Sequence, residues 1–124
     1  MTRPRAMLLA ALLWPALLAA EEPSVDEVLD GNADRTPVKT IIPVYPARAR
    51  RDRLEGEVQV CYHIDRKGRP YRVAVRKSSN RVFEKPAILA VKASSYMPLA
   101  KGVRDAGIKA CRTFRFTLVP VQDA

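Results

Sequence analysis

The sequence predicts an α+β domain: a three-stranded antiparallel sheet with one helix packed on one face, in the order strand, strand, helix, strand. Three observations carry that prediction. Val58, Val60, Tyr62 and Ile64 alternate with polar residues, and after a glycine turn Tyr71, Val73 and Val75 resume the alternation. Phe83, Ala87, Ala90, Val91 and Ser94 then fall at helical spacing. Phe114, Phe116 and Leu118 alternate once more with Thr113, Arg115 and Thr117.

Arg3 and Arg5 precede an apolar run from Ala6 to Leu18, and Ala19-Ala20 stand before an acidic Glu21-Glu22. That order reads as a secretory signal peptide over 1–20, cleaved near Ala20. Pro15 interrupts the run, which is shorter than the roughly 20 apolar residues a membrane anchor needs. Residues 21–40 read as an acidic leader, broken by Gly31-Asn32 and Pro37, with room for one helical turn around Val25 to Leu29. The folded domain is placed at 41–120, with 121–124 as a tail. Pro43, Tyr45 and Pro46 favour an extended lead-in. Ala47 to Leu54 then forms a short helix or turn.

Glu57 to Asp65 is the first strand, with Gln59, Cys61 and His63 on the face opposite Val58, Val60 and Tyr62. Asp65-Arg-Lys-Gly68 supplies a turn, its glycine free to take a positive φ. Ser78-Ser79-Asn80 offers polar caps for the helix. Pro86 is tolerated only in a first turn, so the helix starts between Phe83 and Pro86, and Pro98 closes the segment. A loop with Gly102 and Gly107 leads to the last strand. One helix over one face of the sheet is the economical packing.

The formal charge is +9, of which Arg3 and Arg5 leave with the signal segment. The remaining basic excess favours anionic surfaces. Export and the scatter of the aromatic residues argue against nucleic acid. Two Cys in an exported chain suggest one disulfide, with two free thiols as the alternative. Two thiols and the single His63 do not complete a metal site. No nucleophile, base and orienter can be assigned together, so the reading is binding rather than catalysis, with no cofactor.

The ordered set Pro43-Val-Tyr45-Pro46-Ala47-Arg48-Ala49, Glu55-Gly56-Glu-Val58-Gln-Val60, Ile64-Asp65-Arg-Lys-Gly68, Val73-Ala-Val75 and Ser78-Ser79 resembles the C-terminal domain of TonB. Phe83, Ala87, Ala90-Val91, Tyr96, Pro98 and Phe114-Arg-Phe116-Thr-Leu118 continue it. The resemblance implies a periplasmic domain linked to TonB-dependent outer-membrane transport. In that family the last strand is an open sheet edge to which a receptor's TonB-box peptide adds. Here that edge is Arg112 to Leu118, which makes Arg112, Thr113, Phe114, Arg115 and Thr117 the candidate partner-binding residues. The partner implied is a TonB-dependent receptor or a related envelope component, and homodimerisation is another use of the same edge. Proline at Thr113 or Arg115 is expected to abolish binding with the fold largely intact. The sequence departs from the family at Ser94, where an aromatic residue is common, and at Ile42, where a polar residue often helps to hold the receptor peptide. It also lacks a long Pro-rich spacer.

If the last strand pairs with the first, Cys61 and Cys111 both lie on the face away from the helix, where they would oppose each other at bridging distance. His63 shares the Cys61 face and reads as an ordinary surface histidine. Arg48, Arg50, Arg51 and Arg53 are the densest charge cluster, either a solvated flank or a contact to an anionic envelope component. The alternative function is a cationic structural protein adhering to cell wall or outer-membrane components.

Overall fold

The computed structural model of the chain describes residues 20–30, 35–107 and 109–121. The signal peptide expected over 1–20 lies, but for Ala20, outside them. In chain order the elements are β1 (Glu21–Asp30), β2 (Pro37–Lys39), α1 (Ala47–Arg51), β3 (Gly56–Ile64), β4 (Pro70–Ser78), a 3-10 turn (Arg81–Phe83), α2 (Glu84–Ala93), β5 (Ser95–Tyr96) and β6 (Ala110–Pro120).

The expected hairpin is β3–β4, and β6 pairs antiparallel with β3. A fourth strand completes the sheet, whose order is β1-β6-β3-β4, while β2 and β5 pair separately. This corrects the expected three-stranded count. The segment read as an acidic leader with a helical turn at Val25 to Leu29 is instead the strand β1, antiparallel to β6 from Glu21↔Pro120 to Asp30↔Cys111. The physical reason is the edge itself. Without β1, one side of β6 would present a row of unsatisfied backbone N–H and C=O groups, and any extended segment of matching length can satisfy them.

The core lies between the sheet and α2. Val58, Val60, Tyr62 and Ile64 of β3, Phe114 and Phe116 of β6, and Ala87 and Val91 of α2 are buried. Phe83 stacks on Phe116 with ring centroids 4.4 Å apart, and Tyr45 meets both rings edge-on at 5.6 Å. The Tyr45 hydroxyl donates to the Leu54 carbonyl. The Pro43–Pro46 lead-in thus docks on the core, and α1 follows with Ala49 fully buried.

The β3–β4 turn is built as its residues dictate. Asp65 Oδ1 accepts from the Lys67 and Arg69 amides, each at 2.9 Å. Gly68 takes φ +88°, and its carbonyl accepts from the Tyr96 amide at 2.8 Å. The turn is therefore tied to β5. At the start of the helical segment Asn80 caps the 3-10 turn by accepting from the Val82 amide at 3.1 Å. Pro86 falls in the first turn of α2, where its missing N–H costs nothing.

Candidate functional site

The site follows from which face each β6 residue takes. Arg112 shares its face with Phe114 and Phe116, so it points to the helix side of the sheet and is 1% exposed. Its guanidinium is gripped from four directions. Glu27 of β1 accepts from Nε at 2.5 Å and from Nη2 at 2.7 Å, a two-pronged carboxylate contact. Ser94 Oγ accepts from Nη1 at 3.1 Å, and the Ile41 carbonyl accepts from Nη2 at 3.3 Å. The group also lies over the Phe114 ring, 4.8 Å from its centroid. Burial alone would lower the pKa of Arg112. The hydrogen bonds and charge of Glu27 outweigh it and hold the pKa above its ordinary value.

Ser94 explains why such a group fits there. It ends α2, its hydroxyl donating to the Ala90 carbonyl at 2.8 Å and accepting from the Ile41 amide at 3.1 Å. The small side chain leaves the volume that the Arg112 head fills. Ile42 is half exposed; it is the backbone of Ile41, one residue earlier, that ties this segment to Ser94 and Arg112. Beside Arg112 the Tyr62 and Tyr96 hydroxyls bond to each other, and burial together with that bond raises the Tyr62 pKa.

The far face of β6 is polar. Arg115 is exposed, pairs with Glu57 of β3 at 3.3 Å, and stands opposite Asp26 of β1. Thr113 is buried and lines an open groove of about 680 Å³ with Glu57, Gln59, Lys77, Ser78 and Ser79. Thr117 is half buried and stands opposite Ser24.

The candidate partner-binding residues therefore separate. Phe114 is core, Arg112 is a buried cation, and Thr113, Arg115 and Thr117 share the outer face. What unites them is the backbone of β6, and β1 occupies its free side. β6 is consequently an interior strand, flanked by β1 and β3. Contrary to the expectation that it spares the fold, proline at Thr113 or Arg115 would interrupt the middle of the sheet.

Cys61 and Cys111 are directly opposed on β3 and β6, with Cα atoms 4.1 Å apart, and are joined in a disulfide. His63 is half buried with its ring 5.5 Å from that of Tyr71. Arg48, Arg50, Arg51 and Arg53 are all exposed along α1 and the turn after it. Arg51 pairs with Asp52 at 3.3 Å, and Arg53 reaches Glu21 at the start of β1. Among the described residues no group of three or more His, Cys, Asp or Glu side chains is placed to hold a metal. No described helix is long and apolar enough to cross a membrane.

The model of the Gram-negative bacterial TonB protein C-terminal family matches residues 42–118, more than half of the chain. The chain belongs to the TonB C-terminal family. Among solved structures it is similar to the TonB C-terminal domain of Pseudomonas aeruginosa determined by solution NMR. The two are 23% identical with a TM-score of 0.52, over 75% of this chain and 92% of that one. No curated protein matches. The family match begins after β1 has ended, so the strand that flanks β6 lies outside the matched residues. Glu27 was missed in the sequence for that reason and because an acid in an acidic segment carries no strand signal. The one usable clue was an arginine, Arg112, at a core-facing position of β6, which demands a carboxylate from somewhere.

Proposed function

We propose that this TonB C-terminal domain binds a protein of the cell envelope by strand addition along β6, in the service of TonB-dependent outer-membrane transport from the periplasmic side. The partner is a receptor of that system or a component associated with it. The observation that carries the reading is the pairing of β6 with an extended segment, β1, along ten consecutive residues outside the range that the family model matches. The side of β6 that holds β1 in full register can take another segment of matching chemistry once β1 has left it, because the ladder is made by backbone groups common to all. Arg115 and Arg112 give that edge a basic character suited to an acidic partner.

The test is photo-crosslinking in cells from position 115, whose side chain is exposed beside the strand on the β6 edge. Capture of an outer-membrane receptor or another transport component is the expected result. Capture of wall or lipid-associated components alone would favour the second reading, a cationic envelope-adhesion protein. The exposed run of Arg48, Arg50 and Arg51 supports that alternative, which predicts binding that collapses as salt is raised.

A further inference from the structure

We infer that β1 is a resident stand-in for the partner's strand, and that a partner gains the edge by replacing β1 with an extended acidic segment that sets a carboxylate where Glu27 stands. The inference rests on strand addition as the mode of binding, and it names both the gate on that site and the chemistry that opens it.

Three observations lead there. First, β1 is joined to the sheet with little apolar contact. Val25 packs against the core, but Leu29 is 71% exposed and Val28 39%. The strand is held by its ladder with β6, by Glu27 on Arg112, and by Glu21 on Arg53 at the surface. Segments with few buried apolar contacts open at far lower free energy than the core, so β1 is the part of the sheet most readily exchanged.

Second, the receptor for Glu27 is built without β1. Ser94 Oγ and the Ile41 carbonyl fix the guanidinium of Arg112 from behind, and the Phe114 ring supports it. Its Nε and Nη2 donors are left directed at the β1 position. A strand that lacked an acid there would strand a cation that is 1% exposed, a penalty that discriminates strongly between ligands. The site is thus a one-position carboxylate reader set into an edge that otherwise recognises only backbone.

Third, the register fixes the motif. Glu27 stands opposite Phe114 and Val25 opposite Phe116, while Asp26 faces Arg115 on the outer side. The fitting partner segment is extended and reads apolar, acidic or polar, then carboxylate, running antiparallel to β6.

The test uses the full-length chain and, as probe, a fluorescent ten-residue peptide with the Glu21–Asp30 sequence. Glu27→Gln in the chain should raise its affinity for the peptide by about tenfold or more, because the resident strand loses its charged contact. The same substitution in the peptide should lower affinity by about tenfold or more for either chain. Affinity unchanged by both substitutions overturns the inference. Hydrogen exchange on the unaltered chain gives a second reading that needs no variant. The β6 amides paired with β1 should exchange well ahead of those paired with β3, and equal protection of the two sets overturns the gate. Exchange of β1 between two copies, seen as a concentration-dependent dimer, assigns the edge to a second copy and overturns the partner. Loss of the carboxylate dependence with receptor capture from position 115 intact would overturn the carboxylate requirement and leave strand addition by displacement of β1 standing. Loss of that capture with carboxylate-dependent exchange intact would do the reverse.

Discussion

Ser94 and Arg112 meet at 3.1 Å at the C-terminal end of α2, and the contact turns a gap in the core into a charged site. A small residue at the end of the helix would ordinarily leave a cavity under the sheet. Here the volume is taken by a guanidinium that is satisfied on every side, by Ser94, Ile41 and Glu27. The arrangement joins α2, the lead-in segment and β1 through one side chain of β6. In the proposed strand exchange, stability and partner specificity thus depend on the same group.

Removing either partner of the Arg112–Glu27 pair should be costly, and removing both should be mild. Arg112→Met leaves the Glu27 carboxylate, whose side chain is 15% exposed, without its counter-charge. Breaking a buried pair in this way costs about 3–5 kcal/mol. The double variant Arg112→Met with Glu27→Leu replaces both charges by apolar groups and should recover most of that loss. Urea unfolding of the four proteins in a double-mutant cycle measures the coupling. Additive costs would show that the two side chains do not act as a pair.

The disulfide between Cys61 and Cys111 should contribute to stability through the chain it closes. The two residues are 50 apart in sequence. Replacing both by Ala is expected to lower the unfolding free energy by about 2–4 kcal/mol. A denaturant melt of that variant beside the oxidised parent checks it. No change in the midpoint would mean that neighbouring contacts of β3 and β6 already hold the strands together in the unfolded ensemble.

The core was legible in the sequence because its signals are local and periodic. Val58, Val60, Tyr62 and Ile64 alternate, Gly68 marks its own turn, and Pro86 limits where α2 can begin. The parity of Cys61 and Cys111 was readable for the same reason. β1 was not, because its inner face carries Glu21, Pro23 and Glu27 beside the two apolar residues Val25 and Leu29. Its strand state is imposed by the β6 edge rather than by its own pattern, a tertiary effect that period-2 reasoning does not detect. The strand position of Arg112 is legible in the sequence, but its depth follows only from the space beside Ser94 and from Glu27, 85 residues away.

Gly68→Ala should be among the most damaging small substitutions in the hairpin. The backbone there has φ +88°, which a Cβ disfavours, and a Cβ would lie 1.9 Å from the Tyr96 carbonyl oxygen. The turn and β5 would have to part, breaking the Tyr96 amide bond to the Gly68 carbonyl. A loss of about 2 kcal/mol or more is expected from strain and the lost bond together. Thermal unfolding measures the loss, and a melt indistinguishable from the parent would contradict the close approach of turn and β5.

Acid should weaken the fold partly through Asp65. The backbone hydrogen bond from Arg69 is the main reason its carboxyl titrates below the ordinary value of 3.8, with further help from the Arg69 charge and the Lys67 amide. A carboxyl whose pKa is lowered on folding favours the folded state in full above its unfolded value. That contribution disappears as pH falls through the lowered folded value. Asp65→Asn keeps an oxygen acceptor for the two turn amides but has no charge to lose. The variant should therefore be less stable than the parent at pH 7, and the two should converge as pH falls below 3.8. Urea midpoints followed from pH 7 into the acid range test this directly. Parallel curves with a constant gap would mean that the Asp65 charge does not help to hold the turn.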